Sequence, residues 1–576
     1  MEKRGEIYTI NHFISMKNKI IECVPNFSEG RNLTVIKQIT DSISKIKGVK
    51  LLNVDPGKAT NRTVVTFVGD PEAVIEAAFR SIKKASEVID MRTHYGEHPR
   101  MGATDVCPLV PISNIDMEEV VEFAHLLGYR VGEELGIPGY YYEYAAKQKA
   151  RQNLAYCRTG EYEGLKKRLV DPKWTPDFGP SQFNAKTGAT AIGARDFLVA
   201  YNINLNTTST RRANAIAFDI REKGRIKRKG NPITGEIIRD KSGNPESIPG
   251  SLKHVKGIGW YIEEYGISQL SLNLTNIIET PIHIAFDEAC KKANDRGIRV
   301  TGSELVGLVP LKSILDAGKY FLQKQKRSIG IPENEIVRIA IKSLGLEDLA
   351  PFNPRERIIE YMLEGHEDNT LILKTLTQFS EKTASESPAP GGGSVSAYVG
   401  ALGVALGTMV ANLSAHKRGW DDQWKEFSDV AEKGQMIMSK LLKLVDEDTK
   451  AFNQILLATK MPKSTDQDIV IRNKAIAEAT KKAIEVPFSI MKISLESMNI
   501  LKKMAERGLR SSISDVGVGI ACARTAVLGA YLNVRINCKG MEDAAYTEKI
   551  IKEGKKIKNR SAEIETEVLE KIFSGF

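Results

Sequence analysis

The hydrophobic pattern of this chain changes once, near Leu363 to Asn369, and that change constrains the fold more than any other feature. Before it, apolar residues recur with the periods of both strands and helices; after it, only the helical period is present. At 576 residues the chain is also too long for one hydrophobic core. The sequence therefore predicts a multidomain protein with a disordered leader at 1–15, an α+β part, a linker at 363–370 and an all-α domain at 371–576.

The α+β part repeats one order of elements. Its first half, 16–196, reads extended, helical, extended, extended and helical, and the second helix opens with Asp70 and Pro71, which are strong start signals. The same β-α-β-β-α order returns in the second half, 197–362. We therefore expect two α+β subdomains of similar build, with the stretch EKGRIKRKGNPITGEIIRDKSGNPESIPG, residues 222–250, forming an exposed hairpin or loop because it is rich in Gly, Asn, Pro and charge. The second helix should bury one face, made of Ile75, Ala78, Phe79, Ile82 and Ile89.

The remaining chain consists of long segments with helical periodicity, for which an antiparallel bundle is the natural packing. These segments cover 371–381, 394–414, 420–458, 466–506, 512–537 and 542–573. The stretch Ser387 to Ala415 lacks charge and contains the close spacing Gly403/Gly407, so its length alone would permit a membrane span. Because it is rich in Ala and Gly and contains Ser, Thr and Asn, a closely packed helix inside a soluble bundle is favoured.

The charge and the cysteine content limit the classes of protein to which this chain could belong. With 82 Lys and Arg against 72 Asp and Glu, the formal charge is +10, which suits nucleic acid and anionic metabolites equally. The six cysteines form no CxxC pair, so neither a disulfide framework nor a zinc site is indicated. We expect a reducing, cytosolic setting.

One acidic residue lies in an apolar stripe of the helical domain. On the segment GQMIMSKLLKLVDEDTKAFNQIL, Asp448 shares a face with the apolar residues Ile437, Leu441, Leu444, Phe452 and Ile455. Burial would raise the pKa of this carboxyl and make it a general acid. An equally open interpretation is a structural ion pair with an inward arginine such as Arg524.

Three polar residues lie in a loop of the first subdomain. His94, His98 and Asp105 are carried by THYGEHPRMGATDVCP, between a helix and an extended segment. His98 is a candidate acid or base near neutral pH, although a loop histidine is more often solvated or capping. The Gly and Pro around HYGEH break the helical face that a zinc motif requires.

Two glycine-bearing stretches complete the candidates. GPSQFNAKTG, from Gly179, offers amides and hydroxyls suited to a polar heterocycle or a carboxylate. PAPGGGS places backbone N–H groups at a helix N-terminus, a candidate anion site made of Gly391, Gly392, Gly393 and Ser394. Loop closure and helix capping explain each stretch equally well, and neither is a Walker or Rossmann fingerprint.

Several motifs together resemble a known family. Up to Met362 the chain is similar to glutamate formimidoyltransferases, through IIECVPNFSEGRN from Ile20, NRTVVTFVG from Asn61, GEHPRMGATDVCP from Gly96 and GIGWYIEEY from Gly257. The remainder, with SPAPGGGSVSAYVGALG and LVDEDTKAF, resembles the cyclodeaminase half of bifunctional formimidoyltransferase-cyclodeaminases. The resemblance covers nearly the whole chain.

The resemblance implies a folate enzyme of histidine degradation with two activities. The first domain would transfer the formimino group of N-formimino-L-glutamate to N5 of tetrahydrofolate. The second would close 5-formiminotetrahydrofolate to 5,10-methenyltetrahydrofolate and release ammonia. The alternative is that only the transferase half is active and that the helical domain serves oligomerisation or binding of a polyglutamate tail. The implied transferase fold consists of two ferredoxin-like subdomains.

The resemblance also implies particular site residues. The catalytic histidine of the family motif matches His98, and the cyclodeaminase aspartate matches Asp448. Folate contacts match a first stretch, Gly179, Pro180, Ser181, Gln182, Phe183, Asn184, Ala185, Lys186, Thr187 and Gly188, and a second, Gly250, Ser251 and Leu252. The insertion from about Arg225 to Glu246 departs from shorter family members, as do Gln182, Asn184 and Lys186.

Partners and location are further implications of the resemblance. The cofactor would be tetrahydrofolate as one-carbon acceptor, with or without a polyglutamate tail, and no metal, nicotinamide or flavin is expected. We expect no nucleic-acid and no membrane partner, a cytoplasmic location and a ring-shaped homo-octamer.

Overall fold

The computed structural model of this protein describes residues 19–58, 61–96, 99–230, 234–363 and 370–574. The leader predicted at 1–15, most of the predicted linker, and His98 lie outside these residues. The described chain contains mixed α/β sheets followed by a helical region. The predicted division into an N-terminal α/β part and a C-terminal helical part is thereby confirmed.

The first sheet has seven strands. They are β1 (Ile20–Cys23), β2 (Asn26–Phe27), β3 (Val49–Gly57), β4 (Arg62–Gly69), β5 (Thr104–Ser113), β6 (Gly139–Glu143) and β7 (Thr190–Ala194). β1 and β2 both pair antiparallel with β4 and β5, so they lie in line between those strands, and β3 pairs with the outer side of β4. β7 and β6 extend the sheet beyond β5 in parallel.

Three long helices pack on one face of this sheet. They are α1 (Leu33–Ser44), α2 (Pro71–Val88) and α3 (Met117–Leu135), and two short helices follow, α4 (Leu154–Cys157) and α5 (Glu161–Arg168). The predicted face of α2 is buried at every position, which confirms that prediction. Asp70 is the N-cap residue, but its side chain makes no capping hydrogen bond. Pro71 in the first turn lacks an N–H group, so one fewer donor needs a cap there.

The second sheet repeats the same connectivity. Its strands are β8 (Val199–Leu205), β11 (Val255–Ile262), β12 (Ile267–Leu274) and β13 (Val300–Val306), all antiparallel, in the order β11-β12-β8-β13. Two helices pack against it, α6 (Thr210–Ile220) and α7 (Ile282–Asn294). Between α6 and β11, the predicted hairpin contains the paired strands β9 (Arg225–Ile226) and β10 (Ser247–Ile248).

The described chain divides into two compact units. The first contains Met1–Ser313 and Leu346–Leu363, and the second contains Ile314–Gly345 and Glu364–Phe576. Residues 314–345, which lie inside the predicted range 197–362, therefore belong to the helical unit. They carry most of α8 (Leu311–Lys324) and all of α9 (Glu333–Leu344), while the short α10 (Pro354–Arg357) and α11 (Ile359–Leu363) return to the first unit.

The helical unit is built from six further helices. They are α12 (Leu376–Ala384), α13 (Gly392–Ala415), α14 (Trp424–Thr459), α15 (Asp466–Arg507), α16 (Ile513–Cys538) and α17 (Ala544–Phe573). Five of them match the predicted segments closely; in the first segment, Leu371–Leu373 form a 3₁₀ turn before α12 begins. Residues 314–345 dock on this bundle, because Lys319 pairs with Glu432 at 2.6 Å and Asn412 donates to the Gly330 carbonyl at 2.8 Å.

Small residues allow close packing of α13. A Cβ atom on Gly403 would lie 2.8 Å from the Gly519 carbonyl oxygen of α16, and one on Gly407 would lie 3.0 Å from the Leu501 side chain. Gly392–Ala415 and Arg510–Cys538 are both long and apolar enough to cross a membrane by length and composition. Gly403 and Gly407 in this structure serve contacts between helices of the bundle.

Candidate active sites

Asp448 lies on α14 against the beginning of α13. Its Oδ2 atom lies 3.1 Å from the Ser394 Oγ atom, and the Ser394 backbone N–H also donates to this carboxyl. The Ser394 hydroxyl lies 2.8 Å from the Val445 carbonyl oxygen and 3.1 Å from the Thr449 hydroxyl. Ser394 itself is fully buried, so the carboxyl is held by a rigid partner.

Because Gly393 has no side chain, the backbone of α13 can lie directly against the Asp448 carboxyl of α14. A Cβ atom at this position would lie 2.1 Å from Asp448 Oδ1, far inside any normal contact. Only a residue without a side chain therefore allows Asp448 to lie where it does. On the neighbouring turn, a Cβ on Gly392 would lie 3.0 Å from the Asn533 amide, whereas one on Gly391 would contact nothing within 4 Å.

Burial raises the pKa of Asp448, and the hydrogen bonds from Ser394 partly oppose this rise. The alternative ion pair with Arg524 is not formed: the Arg524 Nε atom lies 3.7 Å from a Glu565 oxygen, and no cation pairs with Asp448 among the described residues. A carboxyl that is desolvated and has no neighbouring cation favours its protonated form, as a general acid requires.

One detail of α14 differs from the sequence prediction. Phe452, predicted on the buried face, is 37% exposed, while the adjacent Ala451 is buried. The buried stripe therefore turns around α14 beyond Asp448.

The candidate anion site at Gly391–Ser394 forms the first turn of α13, with Gly391 as N-cap, and one of its N–H groups already donates to Asp448.

In the first unit, His94 and Arg100 lie on either side of residues 97 and 98, and both are held by hydrogen bonds. His94 is buried, and its Nε2 atom lies 2.8 Å from the Asn61 carbonyl oxygen. Burial lowers the pKa of His94, which favours the neutral imidazole. Arg100 donates to both Glu163 oxygens at 2.7 and 2.8 Å. Gly96 and Arg100, on either side of His98, line an open cavity of about 420 Å³.

Asp105 is part of a buried ion pair. Its Oδ2 atom accepts from Arg158 at 2.5 Å, and its Oδ1 atom accepts from the Met101 N–H at 3.0 Å. Only 1% of Asp105 is exposed, so it holds the loop in place and is not a solvated side chain.

The predicted folate stretch, Gly179–Gly188, contacts the same loop. Gly188 forms an antiparallel bridge with Gly102, and the Ala103 N–H donates to the Thr187 carbonyl at 2.8 Å. Gly188 has a positive φ of 67°, and a Cβ there would lie 2.2 Å from the Met101 oxygen, so this approach requires glycine. The structure therefore brings Gly188 next to the segment that follows His98.

Other residues of this stretch are held by local contacts. Asn184 accepts from the N–H groups of Lys186 and Thr187, at 3.0 and 3.2 Å, which closes a turn. The Lys186 ammonium donates to the Glu87 carbonyl at 2.8 Å. The Phe183 ring lies 5.7 Å from that of Tyr162.

The second predicted folate contact lies on the other subdomain. The N–H groups of Ser251 and Leu252 donate to the carbonyls of Asp219 and Ile220 at the end of α6, at 2.9 and 3.0 Å. A Cβ on Gly250 would lie 2.0 Å from the Arg221 oxygen. Within the described chain, no hydrogen bond joins Gly250–Leu252 to Gly179–Gly188.

One residue with unusual surroundings was missed from the sequence. Glu22 lies on β1 between Ile21 and Cys23, which point into the core, so its carboxyl faces the opposite side of the sheet. It is only 5% exposed and accepts no hydrogen bond from any described residue. Burial raises its pKa to about 7, opposed by the charge of Arg195. An acid inside the apolar run IIEC was the signal in the sequence.

Comparison with known proteins assigns the chain to a family. Family models described as the formiminotransferase domain, N-terminal subdomain, the formiminotransferase domain, and formiminotransferase-cyclodeaminase match residues 20–195, 200–364 and 375–556. The formimidoyltransferase-cyclodeaminase of Gallus gallus is 44% identical over 97% of both chains. The chain belongs to the formimidoyltransferase-cyclodeaminase family. The resemblance inferred from the motifs is thereby confirmed.

Two other similar proteins each match only one part of the chain. The glutamate formimidoyltransferase of Thermoplasma acidophilum is 43% identical over 53% of this chain and 92% of its own length. Among solved structures, the formiminotetrahydrofolate cyclodeaminase of Thermotoga maritima is 25% identical, covers 36% of this chain and 98% of its own, and gives a TM-score of 0.33.

Proposed function

We propose that this chain is a bifunctional folate enzyme that transfers the formimino group from N-formimino-L-glutamate to N5 of tetrahydrofolate and then cyclises the product. Membership of the formimidoyltransferase-cyclodeaminase family, with both halves matched in order, supports this function. The observation that carries the second activity is the Asp448 carboxyl, held by Ser394 and contacted by Gly393 at a junction of two helices.

The transferase step needs a base and an acid in turn. N5 of tetrahydrofolate loses a proton as it attacks the formimino carbon, and the departing glutamate nitrogen gains one as its bond to that carbon breaks. We assign both proton transfers to His98, because one imidazole with a pKa near neutrality serves each step. The Gly179–Gly188 stretch would bind folate, since Gly188 packs against the segment after His98, and Gly250–Leu252 would add a further contact.

The cyclodeaminase step needs an acid. N10 attacks the formimino carbon and gives up its proton, and the amino group leaves as ammonia only after it has gained one. Asp448 would donate that proton, and its raised pKa keeps it protonated at higher pH than an exposed aspartate. The product is 5,10-methenyltetrahydrofolate. Neither step requires a metal, nicotinamide or flavin.

The fold of the transferase half supports the family assignment. Each half has the chain order β-α-β-β-α-β. Its strands lie side by side in the order second, third, first, fourth, which is β3-β4-β1-β5 in the first sheet and β11-β12-β8-β13 in the second. This is the strand order of a ferredoxin-like subdomain, which we propose for each half. We further propose a cytoplasmic enzyme of histidine degradation that assembles as a homo-octameric ring.

Two variants test the function and its alternative. His98→Asn should abolish transfer but leave cyclisation of supplied 5-formiminotetrahydrofolate, and Asp448→Asn should do the reverse. Glutamate release, ammonia release and the near-ultraviolet absorbance of 5,10-methenyltetrahydrofolate are measured together on the full chain. Glutamate release without methenyl product in the unmodified protein would instead mean that only the transferase half is active. Loss of both activities in either variant would contradict independent sites.

A further inference from the structure

A pocket rich in arginine lies where α6 meets the 225–246 hairpin. It has a volume of about 570 Å³, within the range of small-molecule sites. Its cationic lining, which we call the arginine pocket, consists of Arg211 and Arg221 from the α6 segment and Arg225 and Arg228 from the hairpin. No carboxylate is among its described lining residues.

The positive charge of this pocket is poorly compensated. Arg221 donates to the Gly224 and Gly257 carbonyls at 2.9 and 3.2 Å, and Arg228 donates to the Gly235 carbonyl at 2.8 Å. Carbonyl acceptors hold a guanidinium in place but leave its charge uncancelled.

The other two arginines add to the excess. Arg225 pairs with Asp219, but the same carboxyl also pairs with Arg296 from outside the pocket. Arg211, on the exposed side of the helix, has no partner among the described residues. Burial lowers the pKa of both Arg221 and Arg225, because a charged guanidinium is less stable where it is partly removed from water. The four guanidinium groups of the pocket therefore have one carboxylate nearby, that of Asp219, and this carboxylate also pairs with Arg296.

The lining also has an apolar component. Phe218, Ala215 and Ile226 face the same space, and the Arg221 guanidinium lies 3.9 Å from the centre of the Phe218 ring. Forked guanidinium groups match the oxygens of phosphate and carboxylate, and the apolar residues would contact the rest of a bound molecule.

We propose that the arginine pocket binds an organic polyanion, in which two or more phosphate or carboxylate groups are attached to an apolar body. None of the residues assigned to either reaction lines it, although Phe218 and Arg225 also line a neighbouring cavity together with Gly250 and Ser251. Half of its cationic lining comes from the hairpin inserted between α6 and β11, so the insertion itself creates the site.

Three probes distinguish the chemistry of the ligand. Isothermal titration of the full chain with ATP, inorganic tripolyphosphate and citrate compares a phosphate with an apolar body, a phosphate without one, and a carboxylate. We expect ATP to bind more tightly than tripolyphosphate, because only ATP has a ring for the apolar lining. Equal affinities would overturn the apolar part of the proposal, and no binding of any probe at millimolar concentration would overturn all of it.

Matched variants locate the binding. Arg211→Gln and Arg228→Gln remove a charge from two different elements, and each should weaken ATP binding about tenfold, as expected for one charge-assisted hydrogen bond. Arg239→Gln is the control, because Arg239 lies on the same hairpin, donates to the Gly243 carbonyl at 2.8 Å and does not line the pocket. An equal loss in the control would show general attraction to a basic protein and would overturn the site, as would unchanged binding in both pocket variants.

Discussion

The contact between Gly393 and Asp448 allows a sharp test of the cyclodeaminase site. In Gly393→Ala, the new Cβ would lie 2.1 Å from the Asp448 oxygen, whereas ordinary contacts begin at 3.4 Å. The carboxyl must therefore move by about 1.3 Å. A displacement of about 1 Å in a reacting group costs about 10²-fold in rate, or about 2.7 kcal/mol in the barrier. We expect a loss of cyclisation of at least this size.

The fold should tolerate the same substitution. A terminal carboxyl can rotate away more easily than backbone can move, so the melting temperature of the Gly393→Ala protein should stay close to that of the unmodified chain. Transfer of the formimino group to tetrahydrofolate should also be unchanged, because the residues proposed for transfer belong to the other unit.

Gly391→Ala provides the matched control. Its Cβ would meet nothing within 4 Å, and its φ of −112° suits alanine. Both variants are assayed with supplied 5-formiminotetrahydrofolate by the absorbance of the methenyl product. Wild-type cyclisation in Gly393→Ala, or an equal loss in Gly391→Ala, would refute the reasoning that the position of the carboxyl determines the rate.

Three further results are expected. Ser394→Ala removes a hydrogen bond that lowers the pKa of Asp448, so the alkaline fall of the cyclisation pH profile should move to higher pH; a move to lower pH would exclude Asp448 as the acid. The Glu22 carboxyl is protonated in both folded and unfolded chains below its ordinary pKa of 4.5, and ionised in both above about 7, so its burial costs stability as pH rises between these values. Glu22→Gln should then stabilise the chain against urea by up to about 3 kcal/mol at pH 8 but hardly at pH 4.5, and an equal gain at both would contradict this linkage. Gly188→Ala combines a positive φ with a clash and should lower the melting temperature and the transfer rate more than Gly136→Ala, which has a positive φ of 62° but nothing within 4 Å; similar effects would mean that the clash is unimportant.

Much of the fold could be predicted because it depends on local periodicity. The buried face of α2, the doubled β-α-β-β-α order and five helices of the bundle follow from spacings within one segment. Asp448 was found in the same way, since an acid within an apolar stripe is visible in the sequence. The departure at Phe452 arose because the neighbours of a helix change along its length, and the buried face turns with them.

The sequence by itself determined the family, the two-part architecture and the candidates His98 and Asp448, because motifs and periods lie within short stretches of chain. Only the tertiary structure decided their partners. Asp448 is hydrogen-bonded to Ser394, which lies 54 residues away in the sequence, whereas Arg524 lies near Glu565. Such pairs depend on how helices and strands pack, and no spacing along the chain encodes which side chains then meet. The burial of Glu22, near the charge of Arg195, was decided in the same way, by elements distant in sequence.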